Sequence, residues 1–190
     1  MSSSLLEDAF AHHVWATLRL IETCLALSPQ QLETTVPGTY GSILQTMRHL
    51  VGDDAFSLFV ASEEHTPLID EGQMGLPELR AAMESNGAAW SRLLNEDLDP
   101  SAVLREVDPN DGYQRDAPMG IRLAAALHHG TDHRSQICTA LTALGVEPPG
   151  IDVFSFGVED GRVVEAFPTS LRLRTRKYLW CDGCSPRSLR

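Results

Sequence analysis

Apolar residues recur at spacings of three and four in four separate stretches of this chain, with chain breakers between them. That pattern predicts four long amphipathic helices and constrains the fold more than any other feature. In residues 4–27, Leu6, Phe10, His13, Thr17, Leu20, Ile21, Cys24 and Leu27 fall on one helical face. Ser28-Pro29 punctuates that helix, with Pro at the first position of a short turn. Pro37-Gly38-Thr39-Tyr40-Gly41 is a loop by its breakers. Ser42 with Gln45 three residues on is a capping-box pattern, because Ser accepts from an orphan N–H and Gln reaches back. It opens a second helix that ends near residue 62.

A third helix is predicted over residues 77–95. Gly87 inside it costs ~1 kcal/mol relative to Ala, so this helix must lean on packing. The fourth covers residues 118–144. Gly145 sits where a left-handed residue ends a helix, and Pro148-Pro149 follow. A short fifth helix is expected within residues 151–160. In residues 101–117, Asp-Gly between two extended runs predicts a short hairpin or a long ordered loop. The fold class that results is all-α, a four-helix bundle.

Composition limits the partners. Of 190 residues, 26 are acidic and 15 basic, a formal net charge of -11, which argues against nucleic acid and anionic membrane surfaces. No stretch approaches the ~20 apolar residues of a membrane span. The first residues lack a basic region, so no signal peptide is predicted. Four Cys in a chain this long do not make a disulfide framework, and a reduced cytoplasm is the simplest compartment.

The charge is uneven. Residues 168–190 hold six basic residues and one acid, Asp182, so this tail is +5 and the body -16. Residues 1–167 read as the domain, at ~150 residues per domain. Residues 168–190 read as a basic tail, either disordered or docked on the acidic body. Cys181-Asp182-Gly183-Cys184 has C-x-x-C spacing but no second Cys or His pair nearby, and reads as adventitious.

The chemistry concentrates on the fourth helix. His129 and His133 are four residues apart, on one face and one turn apart, so two imidazoles can share one metal ion. The second helix offers His49, with Asp53 four residues on. Three neutral imidazoles on one ion leave a coordination position open, the mark of a catalytic site. The bland alternative is a polar helix face. Asp53 and Asp54 are candidates to orient a ligand or act as a base, Asp53 being better phased, with plain solubility as the alternative. Arg134 could hold a carboxylate or a thiol cofactor, or pair with an acid of the body. Trp15, Trp90 and Phe59 suit core packing better than a pocket lining. Cys24 and Cys138 read as small core residues. His128 with Asp132 reads as a solvated pair.

Leu127-His128-His129-Gly130-Thr131-Asp132-His133-Arg134-Ser135-Gln136-Ile137 resembles the fourth-helix signature of the DinB-like metalloprotein superfamily, a His, three residues, then His-Arg-Gly-Gln. The segment from Gly41 to Val51 is similar to the family's second helix, with His49 at its His position. His13-Val14-Trp15-Ala16 resembles its first-helix motif, and Ile151 to Phe156 the segment after its fourth helix. Ser135 departs from the family's Gly, and could tighten a close helix contact near the metal.

The resemblance implies an up-down-down-up order of the four helices. It also implies a divalent metal, zinc or nickel, on His49, His129 and His133, and a homodimer. The family's enzymes include thiol-dependent S-transferases and a mycothiol-dependent maleylpyruvate isomerase. Three functions compete on this reading: a metal-dependent transferase that activates a low-molecular-weight thiol, a metal-dependent hydrolase with Asp53 or Asp54 relaying protons, and a non-enzymatic metal-binding bundle.

Overall fold

The computed structural model describes residues 4–62, 69–70, 72–107 and 112–166. The basic tail, Cys181, Cys184, His65 and most of the Asp-Gly turn lie outside them. Among the described residues there are six helices and two strands: α1 (Leu5–Cys24), α2 (Pro29–Leu32), α3 (Ile43–Ala61), α4 (Leu76–Leu94), β1 (Val103–Val107), β2 (Gln114–Pro118), α5 (Met119–Ala143) and α6 (Val153–Glu159).

The helix ends have local causes. Ser42 Oγ accepts from Gln45 N–H at 3.2 Å, while Ser42 N–H donates to Gln45 Oε1 at 3.0 Å. The same reciprocal box caps α1 through Ser4 and Glu7, and α2 through Ser28 and Gln31. Gly145 adopts φ 73°, its N–H bonding Thr142 O at 3.0 Å and Val146 N–H bonding Leu141 O at 2.9 Å. These two bonds are the Schellman ending of α5. The hairpin alternative holds for the segment before α5: β1 and β2 pair antiparallel, with Leu104 opposite Ala117.

Packing follows the apolar faces. Helix α1 packs on α4 and α5, and α3 packs on the same two helices, so the contacts close a ring. Two apolar clusters fill it. One centres on Leu20, Met47, Leu50, Met83 and Ile137, and the other on Phe10, Leu58, Trp90, Leu93 and Leu123. Helices α1 and α5 run from the second cluster to the first, and α3 and α4 from the first to the second. Buried polar residues lie between the clusters along each helix: His13 and Thr17 on α1, Asp54 on α3, Asn86 on α4 and Arg134 on α5. Gly87 explains its own presence. A Cβ there would stand 2.8 Å from Val14 Cγ1, so the missing side chain lets α4 approach α1.

No helix among the described residues is long and apolar enough to cross a membrane.

Candidate metal centre

Helices α3 and α5 bring His49, His129 and His133 together, each offering a nitrogen within 4.8 Å of the others. The two α5 rings come to one face through their i,i+4 spacing. His49 joins them because α3 packs along α5. His49 Nε2 lies 3.1 Å from His129 Nε2.

The surroundings determine which nitrogens carry protons. Asp53 Oδ2 stands 3.2 Å from His129 Nδ1. A carboxylate accepts, so Nδ1 carries the hydrogen and Nε2 keeps its lone pair. Gln136 Oε1 accepts from Tyr40 N–H at 2.8 Å and lies 3.2 Å from His133 Nδ1. The backbone donor identifies that atom as oxygen, so His133 Nδ1–H donates to it and Nε2 is again bare. Tyr40 stacks on His49 with centroids 4.1 Å apart and an interplanar angle of 6°, and meets His133 edge-on at 5.5 Å.

Charge in the cluster is disfavoured. Burial and the two neighbouring imidazoles push the pKa of His49 down to about 4. Burial also lowers His129, partly offset by the Asp53 carboxylate. Asp53 is itself raised by burial. Neutral imidazoles are the form that binds a metal.

The donor set fits such an ion. Two imidazole ligands on a tetrahedral ion with ~2.05 Å bonds stand ~3.3 Å apart; His49 and His129 are 3.1 Å apart, and the three donors together lie within 4.8 Å, so a ring closes in by about an ångström to complete the set. Imidazole suits zinc, nickel, copper and iron, so the donors leave the metal's identity open.

A second polar assembly lies behind the first, toward α1. Arg134 Nη1 donates to His13 Nδ1 at 2.9 Å and to Thr17 Oγ1 at 3.2 Å, and Nη2 donates to Thr131 Oγ1 at 3.2 Å. Guanidinium only donates, so His13 is held as the Nε2–H tautomer, and that N–H donates to Asp54 Oδ1 at 2.8 Å. Trp90 Nε1–H reaches the same oxygen at 3.0 Å. Burial lowers the Arg134 pKa to about 10, partly offset by Asp54, which leaves it cationic at neutral pH. The assembly is therefore a buried cation and a carboxylate joined through an imidazole. Gly130 makes room for it: a Cβ there would stand 2.3 Å from His13 Cε1.

These placements sort the predicted residues. Asp53 reaches the cluster through His129, whereas Asp54 is buried against His13 and Trp90. Arg134 is 4 % exposed and faces α1, its donors on protein atoms. Ser135 is exposed, which corrects the expectation of a tight helix contact there. Trp90 and Cys24 are core residues as expected, whereas Trp15 is half-buried outside both apolar clusters, which corrects its expected core role, and His128 is exposed.

Sequence reasoning gave no role to Tyr40, and none to Gln136 or His13 beyond their places in the family-like motifs and, for His13, on an apolar face. Gln136 had a legible signal, standing three residues after His133 on the same helix. Tyr40 had none, because a loop residue's contact with a helix 93 positions later is not written in any local period.

The DinB family model matches residues 1–160. This chain belongs to the DinB family. Searches of curated proteins and of solved structures give no match. Family membership and the three-His group agree on a DinB protein able to bind a divalent metal.

Proposed function

We propose that this DinB protein is a metal-dependent transferase that presents a low-molecular-weight thiol to a small electrophile. One observation carries the reading: three imidazoles converge, and the Nδ1 atoms of His129 and His133 are already bonded elsewhere. His49, His129 and His133 would hold the ion, zinc or nickel. A divalent ion on neutral imidazoles supplies Lewis acidity and stabilises a bound thiol as thiolate at neutral pH.

Asp53 separates this reading from hydrolysis. Hydrolysis needs a base beside the reacting atoms, but Asp53 stands on the Nδ1 side of His129, away from His49 Nε2. We assign it to orienting His129. Arg134 locks α5 to α1 rather than touching a cofactor. The proposal includes the up-down-down-up bundle, supported by the opposite order in which α1 and α5, against α3 and α4, meet the two apolar clusters. It also includes a homodimer and a small-molecule substrate, as the family implies, and a cytoplasmic location, from the cysteine usage.

The test starts with elemental mass spectrometry on untagged protein purified without chelators, beside His49→Ala and His133→Ala. Near-stoichiometric metal in the parent, absent from both variants, is the expected result. Cobalt-substituted protein titrated with cysteine should then develop a thiolate-to-metal absorption band. No band, together with turnover of esters or lactones in thiol-free buffer, would replace the transferase with the hydrolase. A chain that takes up no metal even on reconstitution would remove both.

A further inference from the structure

A second concavity lies away from the histidines. Between α1 and α4, with α6 and Arg162 along its α1 side, runs a groove of about 710 Å³. Its wall includes the half-buried Val14, Trp15, Leu18, Leu94 and Phe156. Four carboxylates, Glu7, Asp8, Glu84 and Asp160, line it against a single guanidinium, Arg162, which pairs with Asp8 and Asp160, while Arg80 outside the lining pairs with Glu84, so the rim keeps an acidic excess. Apolar wall and acidic rim together suit a ligand with apolar and cationic groups interleaved.

The chain's own C-terminal segment has that chemistry. Residues 171–180 read Leu-Arg-Leu-Arg-Thr-Arg-Lys-Tyr-Leu-Trp. The path of the chain leads there. Arg162 ion-pairs with Asp8 of α1 and stacks on Phe156 at 5.5 Å, so the chain is already on the rim at this point. Val163 follows packed on Gly157, where a Cβ would stand 2.5 Å from Val163 Cγ2. From Arg162 to Leu171 the backbone spans at most ~30 Å. The stretch of α1 from Glu7 to Leu18 that lines the groove rises only ~17 Å.

We propose that residues 167–190 of this chain seat in the α1–α4 groove, leucines and aromatics on its wall and basic side chains on its acidic rim. In an extended stretch, Leu171 and Leu173 point one way and Arg172 and Arg174 the other, matching a wall and a rim. A second copy of the groove is the poorer occupant, because it would set carboxylates against carboxylates. A tethered segment also acts at an effective concentration of ~mM.

Trypsin tests this on the full chain, because its targets Arg172, Arg174, Arg176 and Lys177 lie in the segment. Ala11 and Ser91 are exposed residues of the groove lining, so Ala11→Arg with Ser91→Arg adds positive charge and bulk while sparing the core. Circular dichroism checks that the variant folds. We expect early cleavage at the four sites to be roughly tenfold slower in the parent, since proteolysis tracks the open population. Salt at about 0.5 M should remove much of that difference.

A bimane label on Cys184, with the other cysteines changed to Ser, gives a second readout: Trp15 in the groove should quench it, and Trp15→Phe should relieve the quenching. Equal cleavage in parent and variant, with no effect of Trp15→Phe, overturns the proposal. So does protection that the two arginines leave intact, because the segment then docks elsewhere. Protection that grows with protein concentration overturns the intrachain form and points to exchange between copies.

Discussion

His13 shows how much one side chain can carry. It is 1 % exposed and stands between a buried guanidinium and a buried carboxylate. Removing one partner of a buried charged assembly leaves the others uncompensated, which costs about 3–5 kcal/mol. His13→Ala should lose that much in urea denaturation, whereas the exposed His128→Ala should change little. His49 gives a pH dependence. Above its ordinary value of 6.5 it is neutral in both the folded and the unfolded chain and contributes nothing. Below that, the unfolded imidazole takes a proton, and the folded one does not until about pH 4. The metal-free protein should therefore lose stability as pH falls from 6.5 toward 4. His49→Gln should flatten the slope in denaturation midpoints taken across that window.

Element boundaries were the most legible part of this chain, because caps are local. Ser42 and Gln45 make the predicted box, and Gly145 takes the predicted left-handed turn. Leu76–Leu94 begins one residue before its predicted start, since Gly75 serves as N-cap and Pro77 lies in the first turn. What the elements do to each other is less local, and Gly87 is the test. Ala at an exposed helix position gains ~1 kcal/mol over Gly, but here its Cβ would stand 2.8 Å from the stiff, branched Val14. Overpacking of that kind costs about 1–3 kcal/mol. Gly87→Ala should destabilise the parent and stabilise a Val14→Ala background, a sign change that a double-mutant cycle in urea would reveal.

For the molecule as a whole, an ion on His49, His129 and His133 would clamp α3 to α5, two elements that adjoin in space but are far apart in sequence. Binding to the folded state alone stabilises by about 2.7 kcal/mol at a hundred times Kd. For a chain of this size that raises Tm by roughly 5–10 °C. Scanning calorimetry should show that rise with zinc or nickel, its reversal by a chelator, and its absence in His129→Ala. A rise of equal size in His129→Ala would place the ion elsewhere.

Periodicity, caps and breakers determined the helices, since each is an interaction between residues a few positions apart. The i,i+4 pair His129 and His133 was legible for the same reason, and the family motif attached His49 to it. Helical phase already favoured Asp53 over Asp54, and the tertiary structure decided what each carboxylate meets. Asp53 and Asp54 are neighbours in sequence, but a helix turns ~100° per residue. One therefore meets His129 and the other is buried on His13 and Trp90. The same rotation separates His133 from Arg134, sending one to α3 and the other to α1. Which helix stands on each side is a matter of packing, and no local pattern encodes it.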